Sequence, residues 1–388
     1  MLKNNRIVIY SHDGRSYGHI SKLGRFSSAL TDKNPKISVY CVSSSPFGSD
    51  FIKPFSRIDY LKLPSYYFDY NEDTTTFKTK FFVNYKKDEF YGIRVELLKG
   101  LFKFFKPKTL YMECNPLGKH NEMYNIIKQH KSNGGKVIWG INGVIDKQEI
   151  DFKNTQIMDF LINSIDKILV YNQKEVIDII KEYPQFKPLE NKITYVGYIS
   201  PKKEFEKIEN RQKTVLIHTG GGGRSIVLMD KLVRASCEIS KQKPELTFKI
   251  FCGKYLPETQ YVRNLDLCKL YSNIEFSRYT PHILKELSKA YLFIGAGGYN
   301  TLSELIIYPT RSIIIPVQSD DEAEQKNHCQ KLVELGVVNK LMLFDSDYED
   351  IYNSILKALD YEIPTHKIQF KTDGIEQLCN QIIYETKK

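Results

Sequence analysis

The ten residues GAGGYNTLSE, at positions 295–304, have the composition of a loop that binds an anion. They follow an apolar run and open a segment with helical spacing. Glycine lets a chain turn tightly and lets a ligand approach its backbone N–H groups. The helix that follows offers unpaired N–H groups and a positive dipole end, which suit a phosphate. Glu304 could then accept both hydroxyls of a ribose, so the stretch predicts a nucleotide-sugar site.

Glu304 also has a purely structural alternative. Asn300 and Thr301 can cap the helix, and Glu304 follows Thr301 by three residues, which fits a capping box. The residue types alone do not separate the two roles.

Two more glycine-rich segments follow predicted strands, SHDGRSYGHISK at 11–22 and HTGGGGRS at 218–225. None of the three loops places GxGxxG or GxxxxGK[ST] where a dinucleotide or P-loop site requires it. Two such loops in the second half would face one cleft, and Arg224 is a candidate partner for phosphates.

The first of these loops carries the candidates for acid–base chemistry. His19 follows Gly18 at the start of a predicted helix, where a neutral imidazole could act as a general base or contact a phosphate. Asp13 could orient an acceptor or assist His19. The structural alternative is a hydrogen-bonded surface histidine, and His12 is a second candidate.

Glu324 and Gln325, in the segment PVQSDDEAEQ, pair an acceptor with a donor at a predicted helix start. Such a pair suits sugar hydroxyls, although an acid-rich helix N-terminus is common without a ligand. The DSD at 345–347 is interpreted as a helix cap. We find no metal-ligand spacing and predict no metal requirement.

The elements that must position these residues alternate between short β-rich runs and helical stretches, as in a parallel sheet buried on both faces. A charged segment at 200–213 separates two such series, so we predict a domain of 1–199 and a domain of 200–388 that ends in an amphipathic helix. The predicted strands are 7–10, 37–42, 58–63, 109–113, 137–140, 168–171 and 193–196, then 215–219, 248–252, 274–276, 291–294, 313–316 and 341–344.

Composition favours a cytoplasmic protein. The chain has 388 residues, no apolar run near the ~20 residues of a membrane span, and a beginning that is interpreted as a strand and not a signal peptide. Its seven cysteines include no CxxC pair, which indicates reduced thiols. No RNA-binding module is evident, so no nucleic-acid partner is expected.

The net charge of +10 is uneven, +9 over residues 1–197 and +1 over 198–388. A basic half attracts an anionic acceptor or an acidic membrane surface, but lysine-rich surfaces are also common without either. The segment 97–110, LLKGLFKFFKPKTL, interleaves phenylalanine with lysine and could form a membrane patch. Because a strand follows at once, a helix that covers the sheet is the favoured interpretation.

These motifs together resemble GT-B glycosyltransferases, in particular the bacterial peptidoglycan N-acetylglucosaminyltransferases and relatives known as predicted glycosyltransferases. The resemblance rests on GAGGYNTLSE with the Glu-Gln pair, on DGRSYGHISK, on HTGGGGRS and on IDKILVYNQKEVIDIIKEYP followed by KITYVGYI. It spans most of the chain except 43–105. It implies an α/β GT-B fold of two Rossmann-like domains whose parallel sheets face a central cleft.

The resemblance also implies roles for individual residues. Glu304 would bind the ribose, Glu324 and Gln325 would hold the donor sugar, and His19, with Asp13 nearby, would lie beside the acceptor. The residues expected to line the diphosphate are Gly297, Gly298, Tyr299 and Asn300, with Gly222, Gly223 and Arg224 opposite. Thr301 is a further residue expected to bind the donor. The family uses no metal cofactor, because backbone N–H groups and a helix dipole meet the leaving-group charge.

The expected activity is transfer of a hexosyl or N-acetylhexosaminyl group from a UDP- or TDP-sugar to a hydroxyl or amine. The first loop is bulkier than in the peptidoglycan enzymes, and GINGVIDKQE after the strand at 137 lacks an Arg-Asp pair. Both differences lie on the acceptor side and leave the acceptor open, with an anionic or lipid-linked molecule and peripheral contact with the inner membrane face among the options. The alternatives are a nucleotide-sugar epimerase or hydrolase on the same fold and a nonenzymatic polyanion or ligand binder.

Overall fold

The computed structural model describes residues 5–11, 17–52, 56–71, 76–143, 151, 154–205, 213–221, 225–316 and 323–388. The chain divides into two compact units, residues 1–199 with 371–388, and residues 200–370. Each unit is built around one parallel sheet with helices between successive strands, as the alternating pattern predicts.

The strands are β1 (Arg6–Ser11), β2 (Ser38–Ser43), β3 (Ile58–Lys62), β4 (Tyr66–Asn71), β5 (Thr76–Phe81), β6 (Thr109–Glu113), β7 (Lys136–Ile141), β8 (Lys167–Val170), β9 (Ile193–Tyr195), β10 (Thr214–His218), β11 (Thr247–Phe251), β12 (Ile274–Ser277), β13 (Leu292–Ala296), β14 (Arg311–Ile315) and β15 (Lys340–Leu341). The helices are α1 (Tyr17–Lys33), α2 (Lys87–Phe105), α3 (Tyr124–Ser132), α4 (Thr155–Ser164), α5 (Ile179–Glu182), α6 (Ile226–Gln242), α7 (Glu258–Cys268), α8 (Ile283–Lys289), α9 (Tyr299–Ile307), α10 (Ala323–Glu334), α11 (Tyr348–Ala358) and α12 (Gly374–Lys387).

The sheet of the first unit has seven strands in the order β3-β2-β1-β6-β7-β8-β9. Its central strands are buried on both faces, and Trp139 of β7 is fully buried in the core beneath α2, α3 and α4. In β1, β6 and β7 the register brings Ser11, Glu113 and Gly140 side by side at the carboxyl edge. Ligands bind at this edge in sheets of this type.

A two-stranded antiparallel hairpin, β4 with β5, was not predicted from the sequence. Both strands are rich in aromatic and β-branched residues, which favour strands. The hairpin interrupts the alternation of parallel strands and helices, and it lies in the region without resemblance to the glycosyltransferases.

The sheet of the second unit has six strands in the order β12-β11-β10-β13-β14-β15. Its central pair places His218, the last residue of β10, directly opposite Gly295 of β13. All the predicted parallel strands are present in the two sheets, although the last one, expected at 341–344, is only Lys340–Leu341.

The last helix, α12, requires a correction to the predicted domains. It was assigned to the domain of 200–388, but residues 371–388 belong to the first unit. Lys33 of α1 pairs with Glu376 of α12, and Thr109 of β6 hydrogen-bonds Thr386. The apolar face of α12 is therefore buried in the first unit, where Leu378 and Ile382 are covered.

Within the described residues, no helix has both the length and the apolar character needed to cross a bilayer.

Candidate functional site

His19 and Glu113 form the centre of the site in the first unit. His19 lies in the first turn of α1, and Glu113 is the last residue of β6. Because β1 and β6 are adjacent and parallel, the helix that follows β1 starts beside the end of β6. The Nδ1 atom of His19 is 2.8 Å from Oε2 of Glu113. His19 keeps 24% of its side chain exposed, whereas Glu113 keeps 4%.

Lys22 engages the other oxygen of the same carboxylate. It follows His19 by three residues, so both side chains lie on one face of α1. Its Nζ is 2.5 Å from Oε1 of Glu113 and donates to Oδ1 of Asn142 at 3.0 Å. Ser11 Oγ donates to Oε2 of Glu113 at 3.1 Å. The carboxylate is therefore fixed by three side chains.

These contacts shift the protonation of both partners. Burial alone would lower the pKa of His19, but the Glu113 carboxylate outweighs burial and raises it well above 6.5. Burial would likewise raise the pKa of Glu113, but His19 and Lys22 hold it far below its usual value. The ion pair thus favours the carboxylate form of Glu113 and the protonated form of His19.

Cys114 adjoins this pair and adopts a left-handed backbone conformation with φ of 64°. Its Sγ is 3.7 Å from His19 Nδ1, and one possible metal ligand each from His19, Glu113 and Cys114 lies within 4.8 Å of the others. Burial and Glu113 raise the pKa of the Cys114 thiol to about 12, which disfavours the thiolate that binds metals. The Lys22 ammonium already neutralises the carboxylate. These donors do not fit a cation site.

The loop that follows Glu113 is supported by a buried polar network. Arg94 of α2 donates from Nε and Nη2 to the two oxygens of Glu122, and Tyr10 of β1 also bonds Glu122. His120 and Asn121 in this loop have positive φ values of 50° and 61°. Such conformations cost energy and persist only where the surroundings hold them. The network holds the loop against the sheet edge that carries Glu113.

In the second unit, α9 begins at Tyr299, and Gly298 is its N-cap with no side-chain hydrogen bond. Asn300 and Thr301 are therefore inside the first turn, and the capping-box alternative for Glu304 is wrong. Glu304 lies in the second turn and is partly exposed. This position, one turn after the N-terminus of α9, is the one that the resemblance assigns to the ribose.

Two of the glycines before α9, Gly295 and Gly297, are required by close packing. A Cβ on Gly297 would lie 2.4 Å from Sγ of Cys329 in α10, and a Cβ on Gly295 would lie 2.6 Å from the backbone oxygen of His218. The loop is thus pressed between α10 and the end of β10. Glu324 and Gln325 fall in the first turn of α10, which agrees with the predicted helix start, but their side chains lie outside the described part of the structure.

The other predicted loops are described only in part. Gly220 has a φ of 80°, and the backbone oxygen of Gly221 accepts from Tyr255 at 2.9 Å before α6 begins at Ile226. Asp13, Gly222, Gly223 and Arg224 lie outside the described residues.

Three residues at these edges were missed by the sequence reasoning, Glu113, Lys22 and His218. Glu113 and His218 each end an apolar strand, where a polar side chain faces the carboxyl edge of the sheet, and that position was the available signal. Burial lowers the pKa of His218 to about 4, so this imidazole is neutral. Lys22 gave no such signal, because a lysine on an amphipathic helix is ordinarily solvated.

Comparisons with known sequences match only part of this chain. Residues 214–378 match the family model of the glycosyltransferase family 28 C-terminal domain. A curated relative from Thermosipho africanus, the UDP-N-acetylglucosamine–N-acetylmuramyl-(pentapeptide) pyrophosphoryl-undecaprenol N-acetylglucosamine transferase, is 27% identical over 158 residues. That alignment covers 40% of this chain and 42% of the relative, so it spans less than half of the relative's length.

Solved structures match over nearly the whole chain. MurG of Acinetobacter baumannii has a TM-score of 0.59 at 12% identity and covers 98% of this chain and 99% of that chain. The UDP-GlcNAc 2-epimerase of Neisseria meningitidis, bound to UDP-GlcNAc, has a TM-score of 0.62 at 11% identity with the same coverage. The predicted GT-B fold and the resemblance to MurG-like glycosyltransferases are confirmed. The fold does not separate transferases from epimerases.

Proposed function

From the match of residues 214–378 to a glycosyltransferase domain, we propose that this protein transfers a sugar from a nucleotide-diphosphate donor to a hydroxyl or amine acceptor. The family match is the observation that carries the proposal, because the fold alone is shared with epimerases. The second unit would hold the donor, and the first unit would hold the acceptor.

On the donor side, the N-terminus of α9 would bind the diphosphate. Gly298 caps this helix without a side-chain hydrogen bond. The N-terminus of an α-helix presents backbone N–H groups, and its dipole favours negative charge there. Gly297, Gly298, Tyr299, Asn300 and Thr301 are the residues of this turn and its approach. Glu304, one turn further, would accept the ribose hydroxyls. The relative from Thermosipho africanus, named for a UDP-sugar reaction, supports a UDP-type donor and an N-acetylhexosaminyl group.

On the acceptor side, His19 would accept the proton of the attacking group. In the neutral ring, Nδ1–H donates to Glu113, which leaves the lone pair on Nε2. As the acceptor oxygen or nitrogen forms its bond to the anomeric carbon, its proton passes to Nε2. The bond between that carbon and the diphosphate oxygen breaks, and the nucleoside diphosphate leaves. The Glu113 carboxylate then stabilises the imidazolium that forms.

We propose that the reaction needs no metal. Backbone N–H groups and the α9 dipole would carry the leaving-group charge. The donor set around Glu113 supports this proposal, since an ammonium already occupies the carboxylate. Activity that survives exhaustive treatment with EDTA is the expected result.

The outer face of α2 suggests where an anionic or lipid-linked acceptor would be met. Ile93, Leu97 and Phe104 are 40%, 39% and 77% exposed, and spacings of 4 and 7 residues place them on one side of the helix. Phe102 and Phe105 pack on the core instead, so the predicted sheet-covering role of α2 holds for its inner face. We propose that this stripe, with the lysines around it, rests on an anionic membrane surface at the cytoplasmic side.

The deciding experiment follows the donor by proton NMR, with UDP-GlcNAc, UDP-glucose and a TDP-sugar offered with and without a lipid extract and a panel of simple glycosides. A transferase releases nucleoside diphosphate and forms a new glycoside only when acceptor is present. Conversion of the donor to a stereoisomer without acceptor would show an epimerase, and free sugar would show a hydrolase. Protein that neither binds nor consumes any nucleotide sugar would overturn the proposal.

A further inference from the structure

Glu113 lies between two cationic side chains, and this arrangement bears on how the proposed base is controlled. The carboxylate gives one oxygen to His19 at 2.8 Å and the other to Lys22 at 2.5 Å. The Lys22 and Glu113 side chains are only 5% and 4% exposed. Burying a lysine ammonium costs desolvation free energy unless the charge is paired. The ion pair with Glu113 offsets that cost for Lys22.

The surroundings of Lys22 hold it in this place. Its Nζ donates to Asn142 Oδ1 at 3.0 Å and lies 4.8 Å from the centre of the Tyr171 ring. Asn142 is itself anchored, because its backbone oxygen accepts from Asn172 Nδ2 at 2.8 Å. The ammonium therefore touches an amide at the end of β7 and a ring at the end of β8, in addition to the carboxylate.

The other titratable groups that face the pair do not compete with it. Tyr111 of β6 and Tyr171 bond each other through their hydroxyls, and burial raises the pKa of both well above 10. Burial also keeps Cys114 a neutral thiol. Ser11 of β1 is uncharged and donates to Glu113. Within the described residues, the charges at this point are those of His19, Glu113 and Lys22.

We propose that Lys22 is a positioning residue for the reaction, which acts through Glu113 to set the pH at which His19 becomes a neutral base. A negative charge that served His19 alone would hold its proton to higher pH. The positive charge of Lys22 repels the imidazolium and offsets part of the negative charge of Glu113. The His19 pKa is therefore lower than Glu113 alone would make it, and the neutral base forms at a pH nearer neutrality. It also fixes the carboxylate so that Oε2 faces the histidine. The proposal rests on the proposed role of His19 as the base.

The test compares Lys22→Met with Lys22→Arg and with a matched control, Lys33→Met. Lys33 is on the same helix and pairs with Glu376 at 3.1 Å, remote from the site. The pKa of His19 is measured by NMR titration of its ring protons, assigned with His19→Gln, and the pH profile of kcat/KM is recorded beside it. Loss of a neighbouring positive charge should raise the His19 pKa by about 1–2 units. The acid limb of the profile should move up with it, while Lys22→Arg and Lys33→Met stay within ~0.3 unit of wild type.

A His19 pKa that is unchanged in Lys22→Met, or that moves equally in Lys33→Met, would overturn the proposal. If Lys22→Met does not fold, Lys22→Gln is titrated in its place, since its amide can still bond Glu113 without the charge. In a Glu113→Gln background, loss of Lys22 should raise the His19 pKa by less than it does in the wild type, because only the direct repulsion is left and the part that acts through the shared carboxylate is gone.

The NMR titration needs no turnover and separates the two ideas. If the His19 pKa rises in Lys22→Met but the acid limb stays in place, His19 is not the base and the mechanism under the proposed function fails. If neither moves, Lys22 has only a structural role.

Discussion

Arg94 holds Glu122 through two parallel hydrogen bonds, from Nε at 2.7 Å and from Nη2 at 2.6 Å, with both side chains 1% exposed. Arg94 Nη1 also donates to Ser44 Oγ and to the backbone oxygen of Pro64, each at 2.6 Å. Helix α2, the ends of two strands and the loop after β6 therefore meet at one guanidinium. The geometry of that loop depends on a charge that water does not reach.

Replacing Arg94 with methionine should destabilise the protein by about 3–5 kcal/mol, because it strands the Glu122 carboxylate in the core. Urea unfolding of the purified variant measures this. The control is Lys99→Met on the same helix, which breaks an exposed pair with Glu96 and should cost less than ~1 kcal/mol. An equal decrease in the free energy of unfolding in the two variants would mean that the buried pair stabilises the protein no more than the exposed pair does.

The rate of sugar transfer should rise with pH through the raised pKa of His19, because only the neutral ring accepts a proton. His19→Gln should lower kcat by about 10²–10⁴-fold and remove that acid limb. His130→Gln is the control, since His130 is buried and bonds the backbone of Lys136. A rate that falls as pH rises through the same range would indicate that His19 works as a cation on a phosphate.

The contribution of His19 to the free energy of unfolding should fall as pH rises, whereas the rate of transfer should rise. A histidine whose pKa is raised on folding stabilises the protein fully below its unfolded value of 6.5, and this contribution is lost as pH rises through the folded pKa. The difference in unfolding free energy between wild type and His19→Gln should therefore be largest in mild acid and shrink at alkaline pH. Denaturant titrations at several pH values check this. A difference that grows with pH would contradict the ion pair.

Glu304→Ala should abolish stabilisation by nucleotides and leave the fold intact, because Glu304 is partly exposed and lies in the second turn of α9, outside the N-cap. Saturation at 100 times the dissociation constant adds about 2.7 kcal/mol, which is visible as a raised Tm. The screen offers UDP, TDP, GDP and CDP with their common sugars. Glu238→Ala, which breaks an exposed pair with Lys241, is the control. If no nucleotide shifts the wild type, the donor site is wrongly placed.

Serine substitutions at Leu97 and Phe104 should weaken binding to vesicles that contain phosphatidylglycerol and leave binding to pure phosphatidylcholine low. Removing two exposed apolar side chains from an interfacial surface costs about 2–4 kcal/mol of membrane affinity. Leu270→Ser is the control, since Leu270 is 76% exposed in the other unit. Co-sedimentation of wild type that is independent of vesicle composition would refute the anionic surface.

Much of this molecule follows from the pattern of the sequence, and the failures have physical reasons. Short apolar runs such as that of β6 predict parallel strands because those strands are buried on both faces, and Thr109–Glu113 was located to the residue. Gly297 was recognisable because glycine before a helix signals close approach, and Cys329 proves to be the neighbour. His19 was found from its loop.

The long-range partners could not be read from the chain. Glu113 is 94 residues from His19, and the pairing depends on which strand lies beside β1. Helix α12 looked like part of the second domain because sequence adjacency is a poor guide when a chain returns to its first sheet. The β4–β5 hairpin was missed because its two strands follow each other with no helix between them, unlike the alternating strands and helices of the parallel sheets.

The return of α12 gives the chain a divisible architecture. The backbone leaves the first unit after Ile199 and re-enters it at Lys371, and at that point Tyr198 N bonds the Lys371 oxygen at 2.8 Å while Gly374 N bonds the Tyr198 oxygen at 3.1 Å. The second unit is thus one continuous insert, residues 200–370, and the residues that flank its two ends are hydrogen-bonded to each other. Such a segment can be exchanged as a cassette. A chimaera that exchanges it must be joined at both points. A single crossover near 199 would pair the first sheet with a foreign α12.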